Sequence, residues 1–404
     1  MMAAGRAAEL GVRVLLLEKN NFLGKKLLIT GKGRRNITKA EFNPRELVRK
    51  YGREGDFLLH ALSIFGPKET IDFFEKRGLK MKIERGKRIF PETDSAKDVL
   101  DVLSGYLKGG GVKIMTNSEV KEIISYGNKI HKVILKSGRT SGLRPIPAKN
   151  FILCTGGKAF PGTGSTGDGY SWAEKFGHTV AKLRPALVPV KIKEDWPKKL
   201  QGLSLKNVEL TVFQKGKKKD SRFGELLFTH FGLSGPIVLD LSGKIGELQE
   251  SGEVKFHLDL KPALDEQLLN ERVQSDFAKY SNKFFKNSLD DLLPQKLIPV
   301  IIEFSNIDPL KKVNLITREE RRRLVQLLKN LEMTVSSLLG FESAIVTSGG
   351  VNISGIDSKT MKSKLIENLF FTGEIINLHG PTGGYNLQIC WSTGYLAGQS
   401  AAQS

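Results

Sequence analysis

The stretch Leu369-Phe-Phe-Thr-Gly-Glu374, followed by His379-Gly-Pro-Thr-Gly-Gly-Tyr-Asn-Leu-Gln388, decides how this chain is read. An apolar run leads into Gly373-Glu374. The pair Gly383-Gly384 then opens an apolar, small-residue segment that predicts a closing helix. A carboxylate at a strand end can bind a polyol, and the unpaired amides at a helix start can bind an anion or an electron-rich ring. Together they point to a nucleotide-like cofactor, and a flavin fits best. Glu374 is then expected to accept from a ribityl chain. The amides near Gly384, Tyr385 and Asn386 would use the helix dipole to stabilise a reduced, anionic flavin ring.

At the other end, Met1 to Leu10 read as a small-residue helix ending at Gly11. Val12-Arg-Val-Leu-Leu-Leu-Glu18 reads as a buried parallel strand closed by an acid. An acid about 20 residues past a glycine loop binds ribose hydroxyls in dinucleotide-binding units. Counting back from Glu18 places that loop upstream of Met1, so the chain is expected to begin inside its first βαβ unit. A truncated, weakly active flavoprotein is therefore one alternative.

Gly24-Lys-Lys-Leu-Leu-Ile-Thr-Gly-Lys-Gly-Arg-Arg-Asn36 supplies glycines for close backbone approach at Gly31 and Gly33. Lys26 and Arg34 supply phosphate-directed charge. The spacing is not that of a P-loop. In Cys154-Thr-Gly-Gly-Lys-Ala-Phe-Pro-Gly-Thr-Gly-Ser-Thr-Gly-Asp168, so many glycines straight after the apolar run Phe151–Thr155 suggest that a ligand needs the backbone. Ser165 is not in a nucleophile elbow, which disfavours a serine hydrolase.

A helix is expected over 95–108, a strand at Val112, and a hairpin turning at Gly127-Asn128, so the first part is α/β with a mainly parallel sheet. Past Pro185, alternating runs such as Val208–Phe213 and Val254–Leu260 read as antiparallel strands. From Pro262 to Leu339 the pattern reads as helical, with a capping box at Thr317-Arg-Glu-Glu320. The expected organisation is an α/β domain over 1–190 and 342–404, a β-rich insertion over 191–261 and a helical insertion over 262–341.

With 404 residues, 40% hydrophobic and 26% charged, the composition is that of an ordinary globular chain. No run reaches the roughly 18 apolar residues of a membrane span, and the start does not read as a signal peptide. Cys154 and Cys390 are the only cysteines, which leaves no disulfide framework or multi-cysteine metal site, and a cytoplasmic location is expected. The net charge of +20 invites a nucleic-acid reading. The basic residues are spread along the chain, however, and the densest run, Lys215-Gly-Lys-Lys-Lys219, reads as a hairpin tip. A solvated basic surface is favoured over a dedicated nucleic-acid site, and a non-catalytic basic module holding nucleotide or RNA is the rival to an enzyme.

The segments 24–36 and 372–388, with Gly156–Tyr170, Leu183-Arg-Pro-Ala-Leu-Val-Pro189 and Phe228-Thr-His-Phe-Gly-Leu-Ser-Gly-Pro236, resemble the BaiN-like family of NAD(P)/FAD-dependent oxidoreductases. The resemblance runs in order over essentially the whole chain. It implies a two-dinucleotide-binding-domain type of flavoprotein fold, split by a β-barrel-like and a small helical insertion. FAD would be the cofactor, NADH or NADPH the electron donor, and a small organic molecule the substrate. By position, Glu18 would bind the adenosine ribose and Val120 the adenine. Lys26, Gly31, Arg34 and Asn36 would line the pyrophosphate and flavin side. Thr155 and Gly156 would run along the cofactor, and Gly373 and Glu374 would hold the ribityl and pyrophosphate portion. Gly384, Tyr385, Asn386 and Leu387 would lie beneath the ring. Arg35 and Thr382 stand where cysteine is common, and Lys32 where glycine is. No catalytic acid or base is assigned. His379 is the nearest candidate, against a structural role in its loop, and Cys390 reads as packed rather than redox-active.

Overall fold

The computed structural model describes residues 1–136 and 144–404, with Lys32 and Arg144 described by backbone alone. The chain forms two compact units, one of residues 1–185 and 344–404, the other of residues 186–343.

In the first unit the opening helix Met2–Glu9 packs against the closing helix Tyr385–Gln403. Small residues make this possible. A Cβ added at Gly398 would come within 2.3 Å of the Ala3 carbonyl oxygen, so the two helices meet backbone to backbone. Two parallel strand pairs follow from the apolar runs. Leu15–Leu17 pairs with Lys113–Met115, and Phe151–Leu153 pairs with Leu369–Phe371. The strand Leu369–Phe371 is fully buried, as an all-apolar parallel strand requires. The helix Ala96–Gly109 begins at Ser95, whose hydroxyl accepts from the Asp98 amide at 3.3 Å, and it buries Val99, Leu103 and Leu107. The hairpin Val120–Tyr126 and Lys129–Leu135 turns at Gly127 as its sequence indicates, and a third strand, Arg144–Pro147, joins it. A further antiparallel sheet, Thr38–Lys39 with Arg88–Pro91 and Met81–Glu84, was not expected from the sequence.

The second unit is a closed barrel of six antiparallel strands: Val190–Ile192, Gly232–Ser234, Lys217–Thr229, Ser204–Gln214, Lys255–Asp259 and Leu331–Leu338. The last of these corrects the helical reading of 262–339. Helix Arg318–Lys329 carries the expected Thr317–Glu320 capping box but ends before Asn330. Beyond it Leu331, Met333 and Val335 point inward while Glu332, Thr334 and Ser336 alternate with them, a period of two that closes the barrel. The barrel and its covering helices share one apolar core. Lys215 and Gly216, both left-handed (φ 51° and 70°), form the two-residue hairpin tip anticipated there. No helix among the described residues is long and apolar enough to cross a membrane.

Candidate cofactor site

Four segments of the first unit converge on Glu374. The buried strand Leu369–Phe371 delivers Thr372, Gly373 and Glu374 to the flank of the closing helix, where Thr393 Oγ1 accepts from the Gly373 amide at 3.0 Å. Gly373 is left-handed (φ 77°), a conformation that favours glycine. Glu374 Oε1 accepts from the Thr347 amide at 2.8 Å, and Oε2 accepts from Lys26 Nζ at 2.9 Å. Lys26 also donates to the Ala159 carbonyl at 3.2 Å. Thr347 Oγ1 accepts from the amides of Lys158 and Ala159 at 2.8 and 3.0 Å, fixing the turn after Phe151–Leu153.

The same turn explains part of the glycine-rich loop without a ligand. A Cβ at Gly157 would stand 2.3 Å from Thr347 Oγ1 and 2.8 Å from Glu374 Oε1, and one at Gly169 would stand 2.2 Å from Thr155 Oγ1. Gly156 is left-handed (φ 73°), and its Cβ would meet Ser165 Oγ at 3.1 Å. The loop is tied to the first strand pair as well. Glu18 Oε1 accepts from the amide and the side-chain nitrogen of Asn20, both at 2.8 Å, and that nitrogen also donates to the Thr163 carbonyl at 3.0 Å. Lys19 Nζ donates to Asp168 at 2.6 Å. Val120 starts the hairpin two residues after Ser118, whose amide donates to the Glu18 carbonyl at 2.9 Å.

The start of the closing helix is held from several sides. Gly384, its N-cap, is left-handed (φ 100°), and a Cβ there would lie 2.6 Å from the carbonyl carbon and oxygen of Thr38. Asn386 Oδ1 accepts from the Gly380 amide at 2.8 Å, and its Nδ2 donates to the Gly380 carbonyl at 2.9 Å, closing the loop that carries His379. The buried Tyr385 accepts at its carbonyl from Tyr51 Oη at 3.1 Å. Leu387 packs against the apolar cluster that includes Ile37 and Trp391, and the fully buried Gln388 donates to the Phe65 carbonyl at 3.1 Å. Sequence reasoning missed Gln388, Thr38 and Thr347 because their partners are far away in the chain.

The two arginines of the 24–36 segment part company. Arg34 stacks over Phe90, with 4.6 Å from its guanidinium carbon to the ring centroid, and ion-pairs with Glu84 and with Asp94, the latter at 2.7 Å. Hydrogen bonds from Lys82 and Arg34 hold the Asp94 carboxyl below its usual range. Arg35 turns inward instead and is buried. Gly31 is left-handed, and its Cβ would sit 3.3 Å from the Asn36 amide. Burial pushes the Cys390 thiol up to about 11, so it is protonated at neutral pH and packs as a small apolar group.

Among the described residues six buried polar side-chain atoms have no partner: Arg35 Nε, Asn36 Oδ1 and Thr155 Oγ1 in the two glycine-bearing segments read as lining a cofactor, and Arg6 Nε, His178 Nδ1 and Thr229 Oγ1 elsewhere. Buried polar groups are normally satisfied, so the three orphans in these two segments are atoms that a polar ligand would satisfy. The residues fit a flavin nucleotide on that ground, and on the ordered amide-bearing start of the closing helix. No group of three or more metal-ligating side chains occurs among the described residues.

Residues 1–400 match the family model described as "HI0933-like protein Rossmann domain". The chain belongs to this family. The family is one of FAD-dependent oxidoreductases, in keeping with the BaiN-like resemblance. The chain is 33% identical over 393 residues to the 3-dehydro-bile acid delta(4,6)-reductase of Clostridium scindens, covering 97% of this chain and 93% of that protein. It is 31% identical over 406 residues to the ribosomal RNA dihydrouridine synthase of Haemophilus influenzae, covering 100% and 96%. Among solved structures, the 3-ketosteroid-delta4-(5alpha)-dehydrogenase of Rhodococcus jostii superposes with a TM-score of 0.54 at 15% identity, covering all of this chain and 94% of that one. That likeness is one of fold: an α/β Rossmann FAD-binding domain, here with a six-stranded barrel inserted.

Proposed function

We propose that the chain is an FAD-dependent reductase whose substrate is an unsaturated base carried on RNA, with NADH or NADPH as the source of reducing equivalents. Both relatives named above are reductive in what their names describe, one acting on a steroid and one on ribosomal RNA. Their identities to this chain are too close to choose between them. The distribution of charge favours RNA, and it carries the proposal.

The surplus is not spread evenly. Residues 186–343 hold 25 lysines and arginines against 22 acids, whereas the unit bearing the candidate site holds 38 against 21. Some of that charge lies beside the closing helix. A Cβ on Gly383 would be 3.9 Å from Lys39 Nζ and 4.0 Å from Arg88 Cγ, and the adjoining turn carries exposed Arg85, Lys87 and Arg88. Lys39 Nζ lies 5.5 Å from the centre of the Tyr385 ring. A basic edge beside the site suits a backbone of many phosphates better than the single carboxylate of a bile acid.

In this reading Glu18, Asn36, Thr155, Gly156 and Glu374 hold the nucleotide portion of FAD, and the Gly384–Leu387 turn supports its ring. When bound, FAD supplies hydride transfer, while the protein supplies position, electrostatics and exclusion of water. The Gly380–Asn386 bonds and the Tyr51–Tyr385 bond fix the surface on which the ring would rest. Lys39, Lys87 and Arg88 would hold the RNA phosphates.

The test supplies FAD-loaded protein with NADPH or NADH and then ribosomal RNA stripped of its own dihydrouridine, or a 3-oxo steroid diene. RNA should reoxidise the bleached flavin and gain two hydrogens per modified uridine by mass spectrometry. Reoxidation by the steroid alone would refute the RNA assignment. The double variant K39E/R88E should weaken RNA binding and flatten its salt dependence by a slope of about 2, if each residue neutralises one phosphate.

A further inference from the structure

Arg35 is 2% exposed and is the only buried lysine or arginine among the described residues. It forms no salt bridge among them. Nη1 donates to the Leu27 carbonyl at 2.8 Å and to Thr30 Oγ1, while the buried Nε has no acceptor. Its backbone is left-handed (φ 62°), which a residue with a side chain adopts at a cost. Leu27, whose carbonyl Arg35 holds, directly follows Lys26, whose Nζ bonds Glu374 Oε2 at 2.9 Å. The guanidinium therefore belongs to the Glu374 neighbourhood.

A cation taken out of water without a counter-ion, with one donor unsatisfied, is a standing cost to the free protein. Burial pushes the Arg35 pKa down to about 9, which still leaves the group charged at neutral pH. Glu374 does not relieve it, because that carboxylate is engaged by Lys26 and the Thr347 amide. We infer that Arg35 is a preorganised counter-charge for an anionic oxygen of the bound flavin cofactor, either in its diphosphate or on its ring once reduced. This rests on the proposal that FAD occupies the site. Removing Arg35 should then relieve the free protein and penalise the loaded one, whereas a merely structural arginine would stabilise both.

The experiment compares the full chain with Arg35→Met. In the variant the Leu27 carbonyl keeps the Thr30 hydroxyl as a donor at 3.0 Å. Melting of the cofactor-free proteins, binding of FAD and of riboflavin by fluorescence, and the midpoint potential of bound FAD are measured. The variant should melt about 2–4 °C higher without cofactor. If the diphosphate is the partner, it should bind FAD at least about tenfold more weakly with riboflavin binding unchanged, the loss expected of a charged hydrogen bond. If the reduced ring is the partner, the potential should become more negative. A variant that melts lower, with FAD affinity and potential both unchanged, overturns the inference and leaves the FAD reading intact. Failure of the parent chain to bind FAD overturns both. Should Arg35→Met not fold, Arg35→Gln removes the charge while keeping a hydrogen-bond donor, and an affinity and potential equal to the parent's would be equally fatal.

Discussion

Replacing Glu374 with alanine removes two hydrogen bonds at once, and the structure gives a scale for each. The Thr347 amide, bonded at 2.8 Å, loses its acceptor in a partly buried setting, which costs about 1–3 kcal/mol. The ion pair with Lys26 at 2.9 Å, with side chains 27% and 16% exposed, contributes about 1 kcal/mol more. The expected loss in the cofactor-free protein is therefore about 2–4 kcal/mol. For a unit of this size that lowers the melting midpoint on the order of 5–15 °C. Glu374→Gln keeps a neutral acceptor for Thr347 and gives up only the charge, so it should cost about 1 kcal/mol. If Glu374 also holds the ribityl portion of FAD, the alanine variant should emerge from gel filtration with a much lower flavin-to-protein absorbance ratio, and the glutamine variant should fall between. An alanine variant that keeps both its melting midpoint and its flavin would refute the role assigned to this carboxylate.

Two further outcomes follow from geometry elsewhere in this unit. Gly384→Ala places a methyl group 2.6 Å from the Thr38 carbonyl at a left-handed φ of 100°, so the start of the closing helix must shift. A loss of about 3 kcal/mol or more in denaturant unfolding is expected, and a loss below about 1 kcal/mol would show that the helix start is slack. His178 Nε2 lies 2.8 Å from Ser363 Oγ, and that oxygen accepts from the Leu365 and Ile366 amides, so the hydroxyl proton points at the ring. Burial lowers the His178 pKa below its ordinary 6.5, so the unfolded chain takes up a proton that the folded chain resists. Stability present above pH 6.5 should be lost as the pH falls through that value toward the folded pKa. His178→Asn should remove that part of the slope in unfolding curves measured between pH 7 and 5, and identical slopes would contradict it.

The parts of this fold that were legible in the sequence are those where one physical rule acts locally. Apolar runs gave the parallel strands around Leu16, Ile114, Ile152 and Phe370. The Thr317-Arg-Glu-Glu320 capping box marked a helix start, and Lys215-Gly216 marked a tight hairpin. The sheet of Thr38–Lys39, Met81–Glu84 and Arg88–Pro91 was hidden because its strands are short, charged and set by long-range pairing. The strand Leu331–Leu338 was hidden because a strongly helical segment runs straight into it, and the change of period occupies only eight residues. The glycine-rich loop was legible as a place where backbone freedom is needed. Which need each glycine answers was not: Gly157 and Gly169 make room for Thr347 and Thr155, partners no local pattern reveals.

The sharpest case is the pair Arg34 and Arg35. Side by side in sequence and identical in chemistry, they meet opposite fates because Arg35 is left-handed at φ 62° while Arg34 remains in the right-handed region at φ −84°. That turn sends Arg34 to Phe90 and to two acids that balance its charge, and sends Arg35 into the interior with no acid at all. An arginine chosen from the sequence for its charge is thus the one whose charge is already matched. The one beside it carries the unbalanced cation, held by the carbonyl that follows Lys26, the partner of Glu374. A protein that keeps such a charge gives up stability to do so, and the unsatisfied Asn36 Oδ1 and Thr155 Oγ1 give up stability in the same way. Three of the six such atoms among the described residues lie in the two segments read as lining a cofactor. They are what a site looks like when its missing partner is a polar, anionic ligand, which is why FAD affinity and apo stability should move in opposite directions at Arg35.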